Sequence, residues 1–152
     1  MSAEVGSLGL EVYEGNVPPE PLAWIVRSWY RVDGIEFVTP ATSVYQLGVL
    51  GWPKGHLVQP HIHNSVRRQI DSTQEVLFVR RGRARLDLFH DDRSFSCSVE
   101  LRPGDVAFLA AGGHGLEMLE PTEIIEVKQG PYLGEHEKTR FIPDVAKGRE
   151  PR

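Results

Sequence analysis

Cysteine is almost absent: Cys97 stands alone, so no disulfide can form within the chain. A reducing compartment and a thiol packed as a small hydrophobe are expected. Long apolar runs are missing too. Nothing approaches the roughly 20 residues of a membrane span, and "MSAEVGSLGLEVYEG" lacks the basic region and apolar stretch of an export signal. A cytoplasmic protein with no membrane partner is the expectation. Nor is there an excess of positive charge. Seventeen Lys and Arg against 21 Asp and Glu give a formal net charge of −4, which disfavours nucleic acid as a partner. One basic cluster, Arg80, Arg81, Arg83 and Arg85 around Gly82, reads as the exposed side of a hairpin, with a phosphate or nucleotide site as the alternative.

What the chain does have is turn residues. With 152 residues, 40% hydrophobic and 25% charged, it suits a single domain with a real core. Fifteen Gly and 11 Pro punctuate short runs rich in Val, Leu, Ile and Phe. The runs are "SVYQLGVLG", "HLVQPHIH", "EVLFVR", "RARLDLFH", "SFSCSVEL", "DVAFLA", "LEMLE" and "EIIEVKQ". Short strands at this spacing predict an all-β sandwich or a small closed barrel of jelly-roll type. "VLFVRRGRARLDLF" predicts a hairpin at Gly82, "FHDDRSF" a second hairpin, and "ELRPGDVAFL" a turn centred on Pro103 and Gly104. "LAWIVRSWYRV" suits a strand or a short helix. The expected division is a loosely ordered segment over 1–20, a barrel over 21–135 and a polar tail over 136–152.

"HIH" is the first chemical signal. On a strand, His61 and His63 would point to one face with α-carbons roughly 6.5 Å apart, so that both imidazoles could reach one ion. A divalent transition metal accepts such nitrogens, with further ligands supplied by another strand.

The spacing of other residues extends that signal. Five residues separate Gly55 from His61, and six separate Glu75 from Gly82. The pattern resembles the first cupin motif, G(X)5HXH(X)3,4E(X)6G, and residues 104–118 resemble the second, G(X)5PXG(X)2H(X)3N. The resemblance implies a jelly-roll barrel and the metal ligands His61, His63, Glu75 and His114. The implied ion is zinc or iron, with manganese or nickel as further candidates. Two departures stand out. Eleven residues, "NSVRRQIDSTQ", lie between His63 and Glu75, where the motif has three or four. In the second motif Ala110 replaces proline, His114 comes one position early and Met118 replaces asparagine.

Around such an ion, Arg67, with Arg68 beside it, could grip a carboxylate or phosphate from the inserted loop. In "EIIEVKQGPY", Ile124, Glu126 and Lys128 share one strand face. Glu126 and Lys128 are a solvated pair if that face meets water, and an acid and base if it lines the barrel. Tyr132 begins a segment able to close over the opening, and either Tyr45 or Gln46 should face inward. Trp24, Trp29, Tyr30 and Trp52 read as core or interface aromatics, and His56, His90 and His136 as surface residues.

The principal expectation is a metal-dependent enzyme acting on a small polar metabolite by isomerisation, rearrangement or oxygenation, with Arg67, Tyr132, Glu126 and Lys128 as catalytic candidates. Stretches such as "GGHGLEML" and "EVKQGPYLG" are similar to small bacterial cupins of saccharide and natural-product biosynthesis. A non-catalytic module binding a saccharide or amino-acid-like ligand is the alternative. A metal-free epimerase or ketoisomerase using a His–acid pair is another. Cupin domains also occur in hydrazine synthetases, where N–N bonds form, beside a methionyl-tRNA-synthetase-like domain with no counterpart in this sequence. A homodimer is expected from the resemblance and the aromatic N-terminal segment.

Overall fold

Strict alternation builds the strands. In "ARLDLF", Ala84, Leu86 and Leu88 are buried while Arg85 and Asp87 between them are only half-buried, the period of two that a half-buried strand requires. The computed structural model describes residues 4–5, 8–16 and 21–143, and over these the protein is all-β. The strands are β1 (Glu4–Val5), β2 (Leu10–Tyr13), β3 (Ala23–Val26), β4 (Gly34–Phe37), β5 (Gly48–Gly51), β6 (Glu75–Arg81), β7 (Ala84–Phe89), β8 (Phe95–Leu101), β9 (Val106–Leu109), β10 (Gly113–Met118) and β11 (Glu123–Lys128). A short 3-10 turn, Gly134–Glu137, is the sole helical element among the described residues. No described helix is long and apolar enough to cross a membrane.

The chain divides into two compact units, residues 1–30 with 73–152, and residues 31–72. The first contains a six-stranded sheet in the order β1-β2-β3-β9-β6-β11 and a three-stranded sheet in the order β10-β7-β8. Every pairing is antiparallel. Ile25, Leu77, Val79, Ala107 and Leu109 of the larger sheet meet Leu86, Leu88, Val99 and Leu101 of the smaller in one core. Each such large aliphatic side chain contributes about 1.5–3 kcal/mol by leaving water. Cys97 packs against the same cluster. Among the described residues neither sheet closes on itself.

The second unit contains the β4–β5 hairpin, in which Ile35 faces Leu50. Residues 52–74 form no strand, contrary to the expectation for "HLVQPHIH". Pro53 and Pro60 have no N–H to give a ladder, and the segment pairs with no neighbour. "SVYQ" is likewise a loop, in which the Gln46 amide donates to the Pro40 and Ser43 carbonyls.

Gly82 is not the tip of a hairpin. β6 and β7 lie in different sheets, so the chain turns a corner there, at φ 80°. A Cβ at Gly82 would stand 2.4 Å from the Pro121 carbonyl oxygen, a distance that only glycine avoids. The β7–β8 hairpin and the Pro103-Gly104 turn form as the sequence predicts; the Asp105 N–H donates to the Arg102 carbonyl at 3.0 Å.

Part of the opening segment, Leu10–Tyr13, forms β2. β2 brings Glu11 to Arg27, where two hydrogen bonds of 2.7 and 2.9 Å join guanidinium and carboxylate. Arg27 also donates to Asp105 at 2.9 Å and to the Glu100 carbonyl at 2.7 Å. Asp105 is fully buried, and its other oxygen accepts from the Ser28 N–H at 2.9 Å. Burial pushes the Glu11 carboxyl up, but Arg27 and the Tyr13 hydroxyl outweigh it and hold the group below the usual carboxylate range. Of the expected polar tail, Phe141 packs edge-on to Phe89 at 5.2 Å, and 144–152 lie outside the described residues.

Candidate functional site

Glu75 opens β6 and His114 is the second residue of β10. Register fixes where both point. Glu75 is opposite Leu109 on β9, on the face that carries Leu77 and Val79 into the core, and His114 is opposite Leu88 on the core face of the smaller sheet. The two side chains therefore converge from different sheets, and His114 Nε2 lies 3.0 Å from Glu75 Oε2. The hydrogen bond from His114 holds the Glu75 carboxyl below its ordinary range, against partial burial and with Lys128 assisting.

Lys128 is opposite Glu75 across the β6–β11 ladder, with Glu126 opposite Leu77 and Ile124 opposite Val79. The face they share is thus the inner one, at its open end. Lys128 Nζ stands 3.7 Å from Glu75 Oε1, 3.2 Å from Glu126 and 4.0 Å from Glu137. Glu126, foremost among these, raises the Lys128 pKa. The ammonium also lies 5.4 Å from the centre of the exposed Tyr132 ring.

Three buried polar side-chain atoms have no hydrogen-bond partner among the described residues: Gln74 Oε1, Gln129 Nε2 and Glu137 Oε2, the last 4.0 Å from Lys128 Nζ. Gln74, 2% exposed, receives Gln129 Oε1 at its backbone N–H at 2.9 Å. Sequence reasoning passed over all three residues. Gln74 and Gln129 flank nominated residues on the sequence, which is the only signal that could have found them, whereas Glu137 is masked by a polar, tail-like composition. On the other face of the smaller sheet, where Arg85 and Asp87 lie opposite Glu117 and Gly115, a groove of about 200 Å³ is lined by Arg85, Asp87, Phe89, Glu117 and Phe141.

In the second unit, His61 and His63 are exposed on the strandless loop, their ring centres 5.1 Å apart. The His61 ring lies 2.9 Å from the Gln59 carbonyl through Nδ1. Arg67 and Arg68 are exposed on the same loop. No family model, curated protein or solved structure matches the chain.

Other nominated groups are occupied structurally. Arg80 and Arg81 pair with Glu123, Arg83 with Glu100 and Glu120, and Arg85 with Asp87 and Glu117. Trp24 is buried against Phe108, and Trp52 stacks on His56. No three His, Cys, Asp or Glu side chains among the described residues are gathered as the ligands of an ion. The Glu75–His114 pair nonetheless offers the chemistry a divalent ion takes, an ionised carboxylate oxygen beside an imidazole nitrogen.

Proposed function

We propose that the protein is a metal-dependent cupin enzyme acting on a small polar metabolite by isomerisation, rearrangement or oxygenation, with a jelly-roll arrangement of its strands. The observation that carries this reading is the meeting of Glu75 and His114 at 3.0 Å. One belongs to the first sequence motif and one to the second, and no helical or strand periodicity would bring them together. The motif resemblance names His61 and His63 as the further ligand candidates. Zinc or iron, or else manganese or nickel, would supply Lewis-acid or oxygen chemistry there.

The chain's own residues supply the rest. Lys128 presents a positive charge beside the Glu75 carboxylate, suited to holding an anionic or developing oxyanionic group. Glu126 and Tyr132 flank that charge. The unpartnered polar atoms of Gln74 and Gln129 suit a ligand that both donates and accepts hydrogen bonds. We further propose that the protein works in the cytoplasm and as a homodimer.

Melting curves with zinc, iron(II), manganese or nickel test the metal. The melting temperature of wild type should rise with at least one of these ions and fall back with a chelator. Glu75→Gln and His114→Ala should abolish the rise. A wild-type protein indifferent to all four ions contradicts the proposal. The hydrogen bond between His114 and Glu75 favours a second reading, in which the carboxylate orients the imidazole as a metal-free acid–base pair. That reading expects no metal response.

A further inference from the structure

β11 ends the six-stranded sheet, with β6 as its sole ladder partner among the described residues. Its outer face is apolar and in water. Ile125 is 45% and Val127 56% exposed, and Phe78, opposite Ile125 on β6, is 38% exposed. A free, apolar edge strand is a template for pairing, and natural proteins ordinarily blunt it with charge, proline or a cover. The charges on this strand do not blunt it against its own copy. Glu126 and Lys128 sit on either side of Val127. In an antiparallel pairing of two β11 strands centred on Val127, Glu126 of each faces Lys128 of the other, and Val127 faces Val127.

We propose that β11 is the interface of a two-fold symmetric homodimer, paired in this register. The axis runs perpendicular to the sheet, so the inner face of one copy continues into the inner face of the other. Two six-stranded sheets become one. Each Lys128 then has a carboxylate from the second copy within reach, beside the Glu126 of its own chain at 3.2 Å, and opposite charges directly across an antiparallel pair stabilise it. The apolar strip of Phe78, Ile125 and Val127 is doubled in length. An interface built on itself is isologous and closes at two copies. Of the aromatic N-terminal segment, Trp24 and Tyr30 are buried in their own unit, and the exposed Trp29 lies beside Arg27.

This inference rests on the reading that the chain self-associates, and it adds where. Sedimentation equilibrium of the full chain, with circular dichroism as a check on folding, separates the two. Wild type should have twice the 17.1 kDa chain mass. Glu126→Lys sets Lys against Lys at both ends of the pairing, and the mass should fall to that of one chain with unchanged circular dichroism. The double variant Glu126→Lys with Lys128→Glu restores opposite charges, and the dimer should return. Val127→Asp, at an exposed position, should also give single chains. A monomeric wild type overturns self-association itself. A dimer that persists in both Glu126→Lys and Val127→Asp, or that the double variant fails to restore, overturns the β11 interface alone.

Discussion

Arg27 shows how much a single side chain can settle without any signal in the sequence. It is 12% exposed and holds the carboxylates of Glu11 and Asp105, which are 9% and 0% exposed. Arg27→Ala leaves both acids buried without a cation, and such a loss costs about 3–5 kcal/mol. Urea unfolding should register a drop of that size. The same network sets an acid limit. Glu11 has a folded pKa below its unfolded value, so its contribution is present above the ordinary carboxylate pKa and disappears as pH falls through the folded one. Wild-type stability should therefore decline on acidification below about pH 4.5. In Glu11→Gln this part of the decline should be missing, and the gap between the two proteins should narrow as pH drops. None of this is legible in "LEVY" or "IVRSW", because the partners are brought together by the β2–β3 and β3–β9 pairings. Glu75 and His114 differ. Their residue types and motif positions marked them in the sequence, while the Gln74 and Gln129 amides beside them carry no pattern that sets them apart from surface glutamines.

Among the elements, the apolar runs marked β5 to β11, left β3 as strand or helix and passed over β1, β2 and β4, and they could not say which strand pairs with which. Two alternating runs around a glycine look alike whether the chain folds back or turns a corner. At Gly82 the core decides for the corner, because Leu77 and Val79 face Leu86 and Leu88 across the two sheets. Gly55 and Gly82, both glycines of the first motif and both at positive φ, separate strain from contact. A Cβ at Gly55 meets nothing within 4 Å, while one at Gly82 meets the Pro121 carbonyl at 2.4 Å. Gly55→Ala should cost no more than the left-handed backbone penalty of about 1–2 kcal/mol. Gly82→Ala should cost about 1–3 kcal/mol beyond that, which thermal or urea melts can compare directly. The stretch 56–63 departs from expectation for a complementary reason: "HLVQPHIH" has the composition of a strand, but a strand requires a partner, and proline removes donors from the ladder.

Across the whole molecule, the all-β class followed from composition and turn spacing, and the two-sheet core of the larger unit follows from the inward residues of β3, β6, β7, β8 and β9. The β4–β5 pairing and the strandless 56–63 stretch of the smaller unit did not, since they depend on pairings that local sequence leaves open. At this scale the central claim is the ion, and metal content measures it most directly. Protein purified without added metal should carry close to one divalent transition-metal ion per chain by elemental analysis. His61→Ala, Glu75→Gln and His114→Ala should each lose most of it while remaining folded. Wild type without a stoichiometric ion, or an ion retained in full by all three variants, would contradict the account.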